Sequence, residues 1–216
     1  MKKNKFPILF IFIVFLGLVS LLMPACGSKN NPLFSGSLTP TATPVNSQTI
    51  WANGNTGAFF GQNISLVPYG CSVLNVNVPD SISGNNTTLQ VSATSVSQAV
   101  TADFFEPSPG SPGTYYASGH LQMDVKLDQS LSGYFQIGFA YSNSPTGGTY
   151  INTYYNLLVA SLNTASFTHV SIALSNFYNA AYVSEPFYIY GPVGGAAGQP
   201  LTGPVITMDN IRWTSN

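Results

Sequence analysis

Charge is what this sequence has least of. Lys and Arg together number six and Asp and Glu seven in 216 residues, a charged fraction of 6% against about 25% in an average soluble domain. Three of the six cations, Lys2, Lys3 and Lys5, stand at the N-terminus. Beyond residue 25 only Lys29, Lys126 and Arg212 remain against Asp80, Asp103, Glu106, Asp124, Asp128, Glu185 and Asp209, a net charge of −4. With no basic patch, nucleic acid is excluded as a natural partner. Cysteine is also scarce. Cys26 and Cys71 are the two in the chain, too few and too far apart for a Cys-rich metal site. There is no G-x-S-x-G, no H-E-x-x-H and no Walker loop. No stretch sustains a helical period over three turns.

What is present at the N-terminus is an address. The three lysines are followed by an apolar run from Phe6 to Met23, broken by Pro7, Gly17 and Ser20. This is the charged n-region and apolar h-region of a signal peptide. The run closes on Leu22-Met23-Pro24-Ala25-Cys26-Gly27-Ser28, which resembles the lipobox of bacterial lipoproteins. The resemblance implies cleavage before Cys26, a diacylglyceryl group on its thiol, and an exported protein anchored to the cell membrane or outer membrane. Met23 and Pro24 depart from the usual lipobox residues. Two other readings fit the same stretch. One is ordinary secretory cleavage. The other is an uncleaved anchor, since about 18 apolar residues can just span a bilayer. If Cys26 carries lipid, Cys71 has no partner within the chain and reads as a small buried hydrophobe beside Gly70.

The chain therefore divides into a signal peptide at 1–25, a Ser/Thr/Pro-rich linker at 26–48 and one domain at 49–216. The linker contains Thr39-Pro40-Thr41-Ala42-Thr43-Pro44, an extended spacer by composition. The domain reads as all-β. Short runs of Val, Ile, Thr, Tyr and Phe alternate with Gly, Pro, Asn and Ser clusters. Gly119 to Gln129 alternates strictly. Leu121, Met123, Val125 and Leu127 face one way, and His120, Gln122, Asp124, Lys126 and Asp128 the other, as in a strand with one face on a core. Phe167–Leu174 repeats the pattern. Further strands are predicted at Thr88–Ser95, Ala99–Phe105, Gly133–Tyr141, Tyr150–Ala160, Pro186–Tyr190 and Val205–Trp213. Many short half-buried strands without helices imply an antiparallel β-sandwich or barrel. In the last strand Ile206 and Met208 have one parity and Ile211 and Trp213 the other, which predicts a β-bulge near Asp209.

Four segments in order carry a resemblance: Gly119-His120-Leu121-Gln122-Met123-Asp124-Val125, Phe167-Thr168-His169-Val170-Ser171-Ile172-Ala173-Leu174-Ser175-Asn176-Phe177, Pro186-Phe187-Tyr188-Ile189 and Met208-Asp209-Asn210-Ile211-Arg212-Trp213. They look like the galactose-binding-like jelly roll of non-catalytic carbohydrate-binding modules. Ala173 stands where that family usually has Pro, and Met123 where it has Phe. The resemblance implies a jelly-roll β-sandwich, a carbohydrate ligand and a possible structural calcium, with Asp209 at the matching metal position. The opening Trp51-Ala52-Asn53-Gly54-Asn55 supplies no carboxylate for such an ion. The other reading of Asp209 is a side chain that hydrogen-bonds a neighbouring turn or bulge.

Glycoside hydrolysis generally needs two carboxylates about 5–10 Å apart. Asp124 and Asp128 sit four apart on one strand face, with roughly 13 Å between their Cα atoms. Asp103 and Glu106 read as a solvated pair in a loop. His120 and His169, on outward strand positions, are a two-ligand metal pair at most. Binding asks less: an aromatic face for sugar C–H groups and convergent polar side chains. The outward parity collects Gln122, Asp124, Tyr134, Gln136, Tyr154, Asn156, His169, Tyr188, Tyr190 and Arg212. If their strands share one concave sheet, these residues line a groove; otherwise they are ordinary residues of a solvated face. The loop tips Pro107–Gly113 and Gly191–Gly203 are a second candidate site. The sequence thus reads as a membrane-anchored, carbohydrate-binding β-sandwich without catalysis. The alternative is a structural or adhesive surface lipoprotein that contacts a protein partner with the same fold.

Overall fold

The computed structural model describes residues 46–69, 71–78, 82, 87–97, 99–105, 111–112, 116–142, 150–177, 182–195 and 200–215. Residues 1–45, which include the segment read as a signal peptide, Cys26 and most of the stretch read as linker, lie outside the described residues, as do Asp80 and Glu106. Among the described residues no helix is long and apolar enough to cross a membrane.

Among the described residues fifteen strands follow one another: β1 (Ser47–Ala52), β2 (Asn55–Thr56), β3 (Ala58–Phe59), β4 (Gln62–Asn63), β5 (Ser65–Tyr69), β6 (Cys71–Val76), β7 (Thr88–Ser97), β8 (Val100–Phe105), β9 (Ser111–Pro112), β10 (His120–Leu127), β11 (Tyr134–Ser142), β12 (Tyr150–Leu158), β13 (Thr168–Ala173), β14 (Tyr182–Val193) and β15 (Leu201–Thr214). Short 3-10 turns at Val159–Ser161 and Leu174–Asn176 follow β12 and β13. All eight strands predicted from the alternation are present. The N-terminal boundary moves, because β1 begins at Ser47, inside the stretch read as linker. The loop read at Gly191–Gly203 is shorter than expected, since β14 runs on to Val193 and β15 starts at Leu201.

The pairings are antiparallel and build two large sheets. In the first, β13, β10 and β15 lie side by side, and the far edge of β15 is shared end to end by β1 and β7, which continue to β2 and β6. In the second the order is β12-β11-β14-β8-β5, with β9 beside the start of β14. The inward residues of both sheets meet in one core. Leu121, Met123, Val125, Ile206, Met208, Ile211 and Trp213 come from the first sheet, and Ala102, Phe104, Phe135, Ile137, Phe139, Phe187 and Ile189 from the second. This is the antiparallel β-sandwich expected of a jelly roll.

Trp213 ties the layers together. Its ring lies 4.8 Å from Phe139 and 5.1 Å from Phe59 between centroids, and its indole N–H donates to the Pro186 carbonyl at 2.9 Å. Buried aromatic contacts of this kind add about 0.5–1.5 kcal/mol beyond area burial.

Two tight hairpins open the domain. Asn53 and Gly54 both have positive φ between β1 and β2, and Phe60 and Gly61 do the same between β3 and β4. Paired positive φ angles match the twist of flanking strands in two-residue hairpins. Phe60 holds this uncommon backbone (φ 48°) because its ring is buried against Phe59 and Tyr116 and its N–H donates to Gln48 Oε1 at 3.0 Å.

The expected bulge is in β15. Gln122 pairs with Arg212 but Asp124 with Asp209, so Asn210 and Ile211 oppose one residue, and Asn210 sits at φ 51°. That extra residue lets Met208 and Ile211 both reach the core.

Candidate functional site

The outward residues named from sequence fall on two opposite faces of the sandwich, so the single groove posed above does not form. Gln122, Asp124, His169 and Arg212 belong to the first sheet; Tyr134, Gln136, Tyr154, Asn156, Tyr188 and Tyr190 belong to the second. Hydropathy alternation assigns a side chain to a face, but says nothing of which sheet carries that face.

On the first sheet the polar side chains satisfy one another. Arg212 Nε donates to Gln122 Oε1 at 3.1 Å. His169 Nδ1 lies 2.7 Å from Asp124 Oδ1, and Asn210 Nδ2 donates to Asp124 Oδ2 at 2.8 Å. Thr207 Oγ1 donates to Asp128 Oδ2 at 2.7 Å, and Lys126 Nζ stands 3.4 Å from Asp128 Oδ1. Asp124 is thus held between an imidazole and an amide and is buried. Asp209, opposite it, accepts the Asn210 N–H on Oδ1 at 2.8 Å, a bond within the bulge. Among the described residues no group of three or more His, Cys, Asp or Glu could hold a metal ion. Calcium takes six to eight oxygens, carboxylates usually among them. With both Asp124 oxygens bonded elsewhere, the side chains around Asp209 do not fit that ion. His120 and His169 do not meet either: His120 pairs with Ala173 and His169 with Asp124, four positions along the same strand.

The second sheet presents a different surface. Register places Asn156, Gln136, Tyr190, Thr101 and Tyr69 in one row across five strands. The next row reads Tyr154, Gly138, Tyr188, Asp103 and Val67. A third begins Asn152, Ala140, Glu185. Along β11 the floor is therefore Gly138 and Ala140, with Tyr154 on one side and Tyr188 on the other. The flanking strands are two spacings apart, about 9.5 Å. This register outlines a candidate channel, with small residues on the middle strand and phenol-bearing positions on both sides. Tyr154 is 48% exposed, Tyr69 39% and Tyr190 36%, whereas Tyr188 is buried to 6%. Gly138 is required by the backbone itself, since a Cβ there would stand 1.9 Å from the Thr153 carbonyl oxygen.

Two carboxyl groups underlie this surface that sequence reasoning misread or missed. Asp103, read as part of a solvated loop pair, is in β8 opposite Tyr188 and has no exposed surface. Glu185 lies one residue before the strand predicted at Pro186–Tyr190, but β14 begins earlier, at Tyr182, and includes it. A register shift between Gly138 and Ala140 turns it to the outer face beside Ala140. Burial first, then Glu185, Tyr154 and Asp103, pushes the Tyr188 phenol well above its usual range. Tyr188 therefore stays a neutral hydrogen-bonding phenol at any physiological pH. Two carboxyl groups without accessible surface are poorly placed to flank a scissile glycosidic bond. Tyr134 lies at the end of the channel with its ring against Gly194. Of the two loop tips, Pro107–Gly113 lies outside the described residues except for Ser111 and Pro112.

No protein-family model matches the chain, and no curated protein sequence matches it. Solved structures do match. A family 30 carbohydrate-binding module superimposes with a TM-score of 0.57 at 12% identity, covering 80% of this chain and 100% of that one. A family 11 carbohydrate-binding module of a cellulosomal cellulase of Clostridium thermocellum gives 0.51 at 12% identity, covering 81% and 97%. An exo-β-agarase gives 0.53 at 8% identity over 78% of this chain and 25% of that larger one. At these identities the likeness shows the fold, a β-sandwich shared with carbohydrate-binding modules.

Proposed function

We propose that the domain binds a neutral polysaccharide, without cutting it, along the channel on the outer face of the second sheet. The observation that carries this reading is Tyr154 and Tyr188 standing on either side of the side-chain-free Gly138. A sugar ring offers C–H faces to the exposed Tyr154 and Tyr190 and hydroxyls to Gln136, Asn156 and the Tyr188 phenol, which are neutral donors and acceptors. Lys126 and Arg212 are on the opposite face of the sandwich, so among the described residues the channel has no cation for the carboxylate or sulfate of an acidic glycan. The shared fold with carbohydrate-binding modules supports the same reading.

The lipobox-like segment ending in Cys26 supports export and lipid anchoring, so the proposed setting is a membrane surface with the domain held away from it.

The test is electrophoresis of the protein from Phe34 to Asn216 through native gels cast with soluble polysaccharides. Asn46 must be kept, because its carbonyl accepts the Ser215 N–H. Retardation by a neutral glycan, lost in Tyr154→Ala, is the expected result, with no retardation by carboxylated or sulfated glycans. A folded domain that no glycan retards overturns the reading and moves it to the protein-contact alternative.

A further inference from the structure

Among the described residues, half of the exposed large hydrophobic side chains lie on one strand. Ile151, Tyr154, Tyr155 and Leu158, four of the eight, are on β12. This strand stands at the end of the second sheet's strand order, and among the described residues no other strand pairs with its far side. It is long (Tyr150–Leu158) and its register with β11 is unbroken by any bulge. It reads Tyr-Ile-Asn-Thr-Tyr-Tyr-Asn-Leu-Leu, with no charge, proline or glycine. Edge strands are ordinarily blunted by lysine, proline or a bulge so that another chain cannot add to them. The opposite edge of the same sheet, β5, has such a device in Pro68, and β12 has none.

The sequence of β12 is also close to a palindrome about Tyr154. Antiparallel pairing of two copies centred there sets Ile151 against Leu157, Asn152 against Asn156, Thr153 against Tyr155 and Tyr154 against itself. Apolar meets apolar, amide meets amide, and every side chain stays on its own face of the sheet. Shifting the centre to Thr153 or Tyr155 keeps the faces but opposes asparagine to Tyr154. An isologous contact of this kind closes on itself as a dimer, and the absence of charge on β12 leaves nothing to repel a second copy.

We infer that β12 is the dimerisation edge of this protein, pairing antiparallel with β12 of a second copy about a twofold axis through Tyr154. The two second sheets then run on as one, and the paired Tyr154 rings stand side by side on the outer face. That continuity joins two glycan channels (this clause alone rests on the proposed function).

The register gives the test, made on the full chain in detergent with no glycan present. Chains carrying Asn152→Cys and Asn156→Cys are prepared separately, then mixed and mildly oxidised. Facing residues in an antiparallel pair have Cβ atoms about 4.5–5.5 Å apart, near the span of a disulfide. The mixture should therefore form cross-linked dimers well in excess of either chain alone, while Tyr154→Cys should cross-link to itself. The native chain should sediment as a dimer and Ile151→Lys as a folded monomer. A native chain that is monomeric at tens of micromolar, or a mixture no richer in cross-links than its components, overturns the inference, including in favour of a different occupant of this edge. Glycan retardation by a monomeric chain would leave the proposed function standing while this inference fell.

Discussion

At the scale of single residues, the proposed channel turns on a few phenols. Tyr154 presents nearly half of its surface to solvent above Gly138 and close to Tyr188. Removing its ring should weaken glycan affinity about tenfold, since ring contacts of ~1.4 kcal/mol correspond to that factor. Stability should hardly change, because the ring is not part of the core. Tyr188 behaves oppositely. Its phenol is raised chiefly by burial, so the folded chain releases that proton at higher pH than the unfolded chain, which releases it near pH ~10. The contribution is complete below pH ~10 and is lost above it, at about 1.4 kcal/mol per pH unit until the folded phenol ionises. Cys71 is also raised, again mainly by burial, and its thiol donates to the Thr101 carbonyl at 2.9 Å. Its alkaline window opens lower, near pH ~8.5. Urea midpoints measured from pH 8 to 11 in a Cys71→Ala background should therefore fall above pH ~10, and Tyr188→Phe should flatten that fall. If the slope survives in Tyr188→Phe, the phenol is not its source. The exposed ring residues here were legible in the sequence because period-2 alternation marks outward positions. Asp103 and Glu185 were not, because the first looked like a strand end and the second lies just before the predicted strand, where a register shift sets it opposite Ala140.

At the scale of elements, the bulge in β15 shows what a pattern can reveal. The change of parity between Met208 and Ile211 was readable before any coordinates, and the physical remedy is one extra residue at positive φ. Asn210 tolerates that backbone and also donates to Asp124. A β-branched residue there is strained by about 1–3 kcal/mol, whereas glycine adopts the conformation freely. Both substitutions lose the hydrogen bond. Asn210→Val should therefore unfold at lower denaturant than Asn210→Gly, by an amount that isolates the backbone term. Equal midpoints would mean that the bulge relaxes without cost. The first six strands were the part of the fold the sequence concealed. They are short, and the register of the first four is set by the paired positive φ angles of Asn53-Gly54 and Phe60-Gly61. A buried phenylalanine in the left-handed region gives no turn signal of its own; only Gly61 after it does. Assignment of strands to sheets was equally hidden. It depends on contacts such as Trp213 with Phe139 and Pro186, which join residues far apart in sequence.

At the scale of the whole molecule, the two outer faces divide the chemistry. One spends its polar groups on itself, through Arg212–Gln122, His169–Asp124–Asn210 and Thr207–Asp128. The other keeps exposed phenols over small residues. The proposed binding face would act on an insoluble or extended ligand most effectively when tethered, because fixing the domain near its target raises the effective concentration of binding sites. The N-terminal sequence would supply the tether in the proposed setting. Three lysines, an apolar run and Ala25-Cys26-Gly27 resemble a lipoprotein signal, and the Pro/Thr stretch after them is a spacer by composition. One acyl chain holds a protein only marginally, whereas two or more hold it stably. Lipidation at Cys26 should therefore place the protein wholly in the membrane fraction. Mass spectrometry of the mature N-terminus should find it beginning at an acylated Cys26. Cys26→Ser should release a folded, glycan-binding domain into the soluble exported fraction if lipid is the anchor. If that variant stays in the membrane with residues 1–25 still attached, the apolar run itself is the anchor. If the native protein is soluble and begins elsewhere, ordinary secretory cleavage replaces the lipid reading.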